Sequence, residues 1–136
     1  PRFRFLKAGF ECHALRDSSS LLTRVAALGT QDVLVVISHS GRTKDIVTAA
    51  SEARRRGVFV IGITQFGARP LRAACDATLF TSSRETAFRS EAMASRIAQL
   101  VLLDALFVAV SMPSYDEVAP RLEDARALNE QMRIQP

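Results

Sequence analysis

The sequence predicts an α/β fold, a doubly wound parallel sheet flanked by helices, and three observations carry that prediction. Residues 33–37 and 58–64 read as apolar on both faces, as strands of a parallel sheet covered by helices on either side must be. Segments of helical spacing alternate with these runs, the order that makes each helix a crossover between parallel neighbours. The first run passes straight into Ser38-His39-Ser40-Gly41-Arg42-Thr43, a small polar turn that opens a helix. Strand, tight turn and helix in that order place free amide N–H groups, and the positive end of the helix dipole, over the strand's carboxyl end.

Taken in order, residues 4–7 are the tail of a helix closed by Gly9, and 10–15 a short strand. Residues 21–28 form a short helix capped near Ser19 or Ser20, whose hydroxyls can accept from first-turn amides. The strand at 33–38 follows, then an amphipathic helix over 43–56 that Gly57 ends. Residues 58–64 are the second apolar strand, Pro70 starts a short helix to about Cys75, and 77–81 is the last strand. A long helix covers about 90–111 and stops before Pro113. The final helix spans about 115–133, with Val118, Leu122, Ala125, Leu128 and Met132 near helical spacing. Pro120 fits only if it lies in that helix's first turn.

With 136 residues and 48% hydrophobic content, the chain can bury one sizeable core but not two, so a single domain over 1–136 is expected. The longest apolar stretch, residues 100–110, is interrupted by Asp104; a buried helix and no membrane span are expected. Cys12 and Cys75 are too far apart for a zinc spacing or a disulfide framework, and no secretory signal is visible. A cytoplasmic protein without metal or cofactor is the expectation. The net charge is +4, but the basic residues are scattered and lack interleaved aromatics, which reads as a solvated surface.

Chemistry concentrates in the turn. Ser38, Ser40 and Thr43 set three hydroxyls around Gly41, whose missing side chain lets backbone approach a ligand closely. A helix N-cap would explain one hydroxyl, not three around a glycine. An anion suits the arrangement best. His39 holds the variable position and offers its backbone N–H, Arg42 and Lys44 add positive charge nearby, and His13 reads as structural.

Ser38-His39-Ser40-Gly41-Arg42-Thr43 resembles the Ser-x-Ser-Gly-x-Thr signature of the SIS domain, the sugar isomerase and sugar-phosphate-binding fold. A second stretch, Phe88-Arg89-Ser90-Glu91-Ala92-Met93-Ala94-Ser95-Arg96-Ile97-Ala98-Gln99-Leu100 with Leu103-Asp104-Ala105-Leu106-Phe107, is similar to the SIS domain of RpiR-type bacterial transcription regulators. The resemblance implies a flavodoxin-like three-layer sandwich that senses a phosphorylated sugar or sugar acid. Ser38, His39, Ser40, Gly41 and Thr43 would hold the ligand, the loop 82–89 would close over it, and Arg89, Ser90 and Glu91 would add contacts. It further implies a homodimer or higher assembly, and contact with DNA through a helix-turn-helix domain upstream of this stretch.

Aldose–ketose isomerisation needs a carboxylate base, which SIS isomerases supply near the start of the corresponding long helix. Aligning Ala92-Met93 with the pair that follows that base puts the position nearer Ser90 than Glu91, and neither His13 nor His39 clearly supplies a ring-opening group. Glu91 is thus catalytic only if the protein is an isomerase, the alternative to a non-catalytic sensor. SIS domains also begin with a central strand and a Gly-x-Gly-x-Ser-type turn that have no match here. The chain is therefore expected to lack its first strand, as part of a longer protein or with the strand supplied by a partner molecule.

Overall fold

A computed structural model describes residues 2–15, 17–82 and 93–132. The elements run α1 (Arg2–Lys7), α2 (Ser18–Ala27), β1 (Val33–Ile37), α3 (Lys44–Arg55), β2 (Phe59–Gln65), α4 (Arg69–Ala73), β3 (Ala77–Thr81), α5 (Met93–Ser111), a 3-10 turn (Met112–Ser114) and α6 (Tyr115–Gln131). The chain divides into two compact units, Leu15–Leu102 and Pro1–Ala14 with Leu103–Pro136.

The unit over Leu15–Leu102 holds a parallel sheet in the order β1-β2-β3, with Val33 opposite Phe59 and Ile61 opposite Ala77. While Ile63 of β2 is fully buried on one face of the sheet, the main apolar cluster lies on the other. Val36 of β1 and Val60 of β2 pack there with Val25 of α2, Ala49, Ala50 and Ala53 of α3, and Leu71, Ala74 and Cys75 at α4. The three alanines are wholly buried, and their small side chains let α3 lie close against the strands. Cys75 Sγ covers Gly62, where any side chain would collide with it, and burial pushes the thiol's pKa up.

Helix ends explain several boundaries. Gly57 adopts φ +82° just past α3; its N–H donates to Arg54 O at 2.9 Å, and the Val58 N–H to Ala53 O at 3.1 Å. Those two bonds satisfy the last carbonyls of the helix in the manner that favours glycine there. At α2 the cap is Asp17 rather than Ser19 or Ser20. Its carboxylate accepts from the Ser20 N–H at 2.8 Å, a bond that also lowers its pKa. An ionised acceptor on a helix N-terminus outcompetes a neighbouring hydroxyl.

The run Arg54-Arg55-Arg56 is engaged in ion pairs. Arg54 reaches Asp76 at 2.9 Å, while Arg55 and Arg56 both hold Glu52, whose carboxyl they depress to about 2.

Three expectations about strands and helices are corrected. Residues 10–15 form no strand; a strand exists only with a ladder partner, and the described sheet ends at β1. The odd face of β1 is open, with Val33 56%, Val35 37% and Ile37 38% exposed, so apolarity on both faces of that strand does not mean burial of both. Helix α5 is not a buried helix. Met93, Ile97, Leu100, Val101, Val108 and Val110 are all exposed, and the helical stretch Met93–Gln131 contains a segment long and apolar enough to cross a membrane, with mean hydropathy 1.8.

In the other unit, Ala8, Phe107 and Val118 are buried together with Phe5, Phe10 and Leu122 around them. The Phe5 ring meets Phe107 edge-on at 5.2 Å and Phe10 at 6.1 Å. Asp104, the charge that interrupts the apolar run, pairs with Arg4, whose guanidinium lies 4.5 Å from the centre of the Phe107 ring. Pro120 sits in the second turn of α6, beyond the first turn expected for it, where its ring removes the bond to the Asp116 carbonyl. The expected stripe of α6 packs over its first part, with Val118 buried and Leu122 and Ala125 half-buried, whereas Leu128 and Met132 are exposed.

Candidate anion-binding site

β1 delivers Ser38 to its carboxyl end, where the Ser38 N–H donates to Ile63 O at 3.0 Å and keeps the first turn residue in line with β2. The chain then folds back tightly. The Gly41 N–H donates to Ser38 O at 3.1 Å and lies 3.2 Å from Ser38 Oγ, which is itself 3.1 Å from Thr43 Oγ1. The Arg42 N–H donates to Ser40 Oγ at 3.3 Å. Ser38 is buried, while Ser40, Arg42, Thr43 and Lys44 are exposed and His39 is half-buried.

Thr43 occupies the N-cap position of α3 but makes no side-chain cap bond, since its hydroxyl turns toward Ser38 instead. The first-turn amides of this twelve-residue helix thus keep their donors directed outward beside two exposed hydroxyls. Asp45, in the same turn, accepts from Ser18 Oγ of α2. Ordinary capping does not account for the turn, and an incoming anion would meet helix amides, Ser40 and Thr43 together.

Gly41 has a different reason from the one its sequence position suggests. Its φ is +61°, and a side chain there would run into Ala68, into Thr64 Oγ1 at 2.9 Å and into Leu71 Cβ at 3.3 Å. The glycine is required by what packs behind the turn. That back wall was missed from the sequence: Thr64 at the end of β2 and Ala68 and Leu71 beside it. The Leu71 N–H donates to Gly41 O at 3.2 Å, and His39 O accepts from the Gln65 N–H at 3.1 Å. A polar residue closing the apolar run 58–64 was the available signal.

The turn brings Ser38, His39, Ser40, Gly41 and Thr43 together, with Arg42 and Lys44 beside them. Arg89, Ser90, Glu91 and the rest of 83–92 lie outside the described residues. His13 meets Glu11 Oε1 at 3.0 Å, on residues that form no strand.

This combination, a parallel α/β sheet with a hydroxyl-lined turn opening a helix after a strand, defines a class of α/β folds that present an anion-binding turn at the carboxyl end of a strand. The SIS domain family matches residues 2–109, and the chain belongs to that family. It is 42% identical over 121 residues to an uncharacterised HTH-type transcriptional regulator of Caldanaerobacter subterraneus, covering 89% of this chain and 43% of that one. It is 30% identical over 125 residues to the HTH-type transcriptional regulator RpiR of Escherichia coli, covering 92% and 42%. Among solved structures, the Vibrio vulnificus NanR protein complexed with ManNAc-6P superposes with a TM-score of 0.87 at 22% identity, over 98% of this chain and 50% of that one. The chain spans less than half the length of the curated relatives it matches.

Proposed function

We propose that this chain is the sugar-phosphate-sensing effector domain of an RpiR-type transcription regulator of carbohydrate metabolism, cytoplasmic and without catalytic activity. One observation carries the reading: the N-terminus of α3 has no side-chain cap and is fronted by the exposed hydroxyls of Ser40 and Thr43. A phosphate group supplies the charge that such a helix end and its donors favour. The relatives' names and the sugar phosphate held by the NanR neighbour support a phosphorylated sugar or sugar acid as ligand. DNA contact would come from a helix-turn-helix domain elsewhere in the full-length protein, consistent with relatives about twice as long as this chain.

The test is a titration of the protein with ManNAc-6P and related sugar phosphates. Charge-assisted hydrogen bonds contribute about 1.5–3 kcal/mol each, so Ser40→Ala or Thr43→Ala should weaken binding roughly ten- to a hundredfold. In the full-length protein the ligand should also shift operator affinity at fixed salt, by about 5- to 150-fold. Unchanged affinity in both variants sinks the site. Turnover of the sugar with operator affinity indifferent to it would establish an isomerase instead.

Self-association belongs to the same reading. Met93, Ile97, Leu100 and Val101 project exposed apolar side chains from the first half of α5, more than a solvated helix carries without a partner. A second copy would cover them, and a regulator reading paired half-sites requires such symmetry. Light scattering of the full-length protein should report a dimer at micromolar concentration, and Leu100→Glu should shift it toward monomer.

A further inference from the structure

A buried hydroxyl lies at or beside the carboxyl end of each strand of the sheet. Ser38 follows β1, Thr64 lies at the end of β2 and Thr81 closes β3, and all three are buried, at 7%, 0% and 3% exposed. The two threonines are linked in sequence across the sheet to the turn. Thr81 Oγ1 donates to Thr64 O at 3.3 Å, and Thr64 Oγ1 donates to His39 O at 3.2 Å, inside the anion turn.

The second of these bonds is not needed to satisfy His39 O, which already accepts from the Gln65 N–H at 3.1 Å. Two donors on one carbonyl instead use both of its lone pairs and fix its direction. A trans peptide holds C=O and N–H on opposite sides, so pinning His39 O down toward β2 turns the Ser40 N–H away from the sheet, toward the open side of the turn. Packing alone would be served as well by valine, which has the same shape and favours strands.

We propose that Thr64 is a positioning residue for anion binding, its hydroxyl aiming the Ser40 amide at the ligand, with Thr81 steadying Thr64 from the neighbouring strand. The inference rests on the turn being the phosphate site, and it names a residue that touches no ligand.

The experiment uses the full-length protein with inorganic phosphate as the probe, followed by NMR titration, together with amide hydrogen exchange of residues 40–43 in the phosphate-free protein. Thr64→Val and Thr64→Ala should each weaken phosphate binding by about three- to tenfold and speed exchange of the Ser40 amide. Thr64→Ser, which keeps the hydroxyl, should stay within about twofold of the parent. A loss shared by valine and alanine but rescued by serine follows the hydroxyl and not the volume of the side chain.

Folded valine or alanine variants with parental affinity and parental exchange would overturn the proposal, as would a serine variant as weak as valine. Absence of phosphate binding in the parent, or its indifference to Ser40→Ala, would overturn the phosphate site. The exchange rates of the free protein still decide what Thr64 does to the turn.

Discussion

Gly41→Ala should abolish phosphate binding and lower stability by about 2–5 kcal/mol. The two contributions are separable in origin. A non-glycine residue at φ +61° pays roughly 1–2 kcal/mol for left-handed backbone. The added methyl also meets Ala68, Thr64 Oγ1 and Leu71 Cβ, and overfilling a packed site costs about 1–3 kcal/mol more. Because the residues behind the turn belong to β2, to α4 and to its N-cap Ala68, the turn must yield, and the hydroxyls of Ser38, Ser40 and Thr43 lose their common focus. Urea unfolding gives the stability change, and a phosphate titration of the folded variant gives the binding. A variant that keeps both parental midpoint and parental affinity would contradict the packing described here.

Leu71→Ala should destabilise by about 2–5 kcal/mol, the range for emptying a fully buried leucine site. Leu71 sits in the core with Val36, Val60, Ala50 and Ala53, so the cavity would open between α4 and the sheet. Its effect on ligand should be much smaller than that of Gly41→Ala, because the Leu71 N–H that donates to Gly41 O belongs to the backbone and survives the substitution. The contrast is the measurement: two variants of similar stability loss, one retaining phosphate affinity and one without it. Equal loss of affinity in both would mean that the turn is held by side-chain packing rather than by that amide.

The elements legible in the sequence are those whose causes are local. Apolar runs bounded by turns gave β1 and β2, Gly57 marked the end of α3 through its positive φ, and the serines and threonine around Gly41 announced the turn. Where the cause lies elsewhere in the chain, the reading failed. Residues 10–15 have strand composition but no ladder partner, and no single segment declares that. Asp17 displaced the neighbouring serines as a cap because ionised acceptors are stronger, a ranking that three consecutive serines obscured. The apolar face of α5 implies something to cover it, and the sequence does not say whether the cover is the chain's own sheet or another molecule. Thr64 carried a signal that went unused: a hydroxyl at the end of an otherwise apolar strand, on a side chain with no exposure at all.

Ser38 Oγ is already bonded to the Gly41 amide and close to Thr43 Oγ1, and the carbonyls of His39 and Gly41 are tied to β2 and α4, before any ligand arrives. A loop so braced has little freedom left to lose on capture. On the reading that the turn holds phosphate, the turn itself needs no rearrangement to bind, and differences in affinity among anions should be expressed in how long each stays. A weakly held anion should then leave the turn soon after its concentration falls, and a tightly held one should outlast that fall.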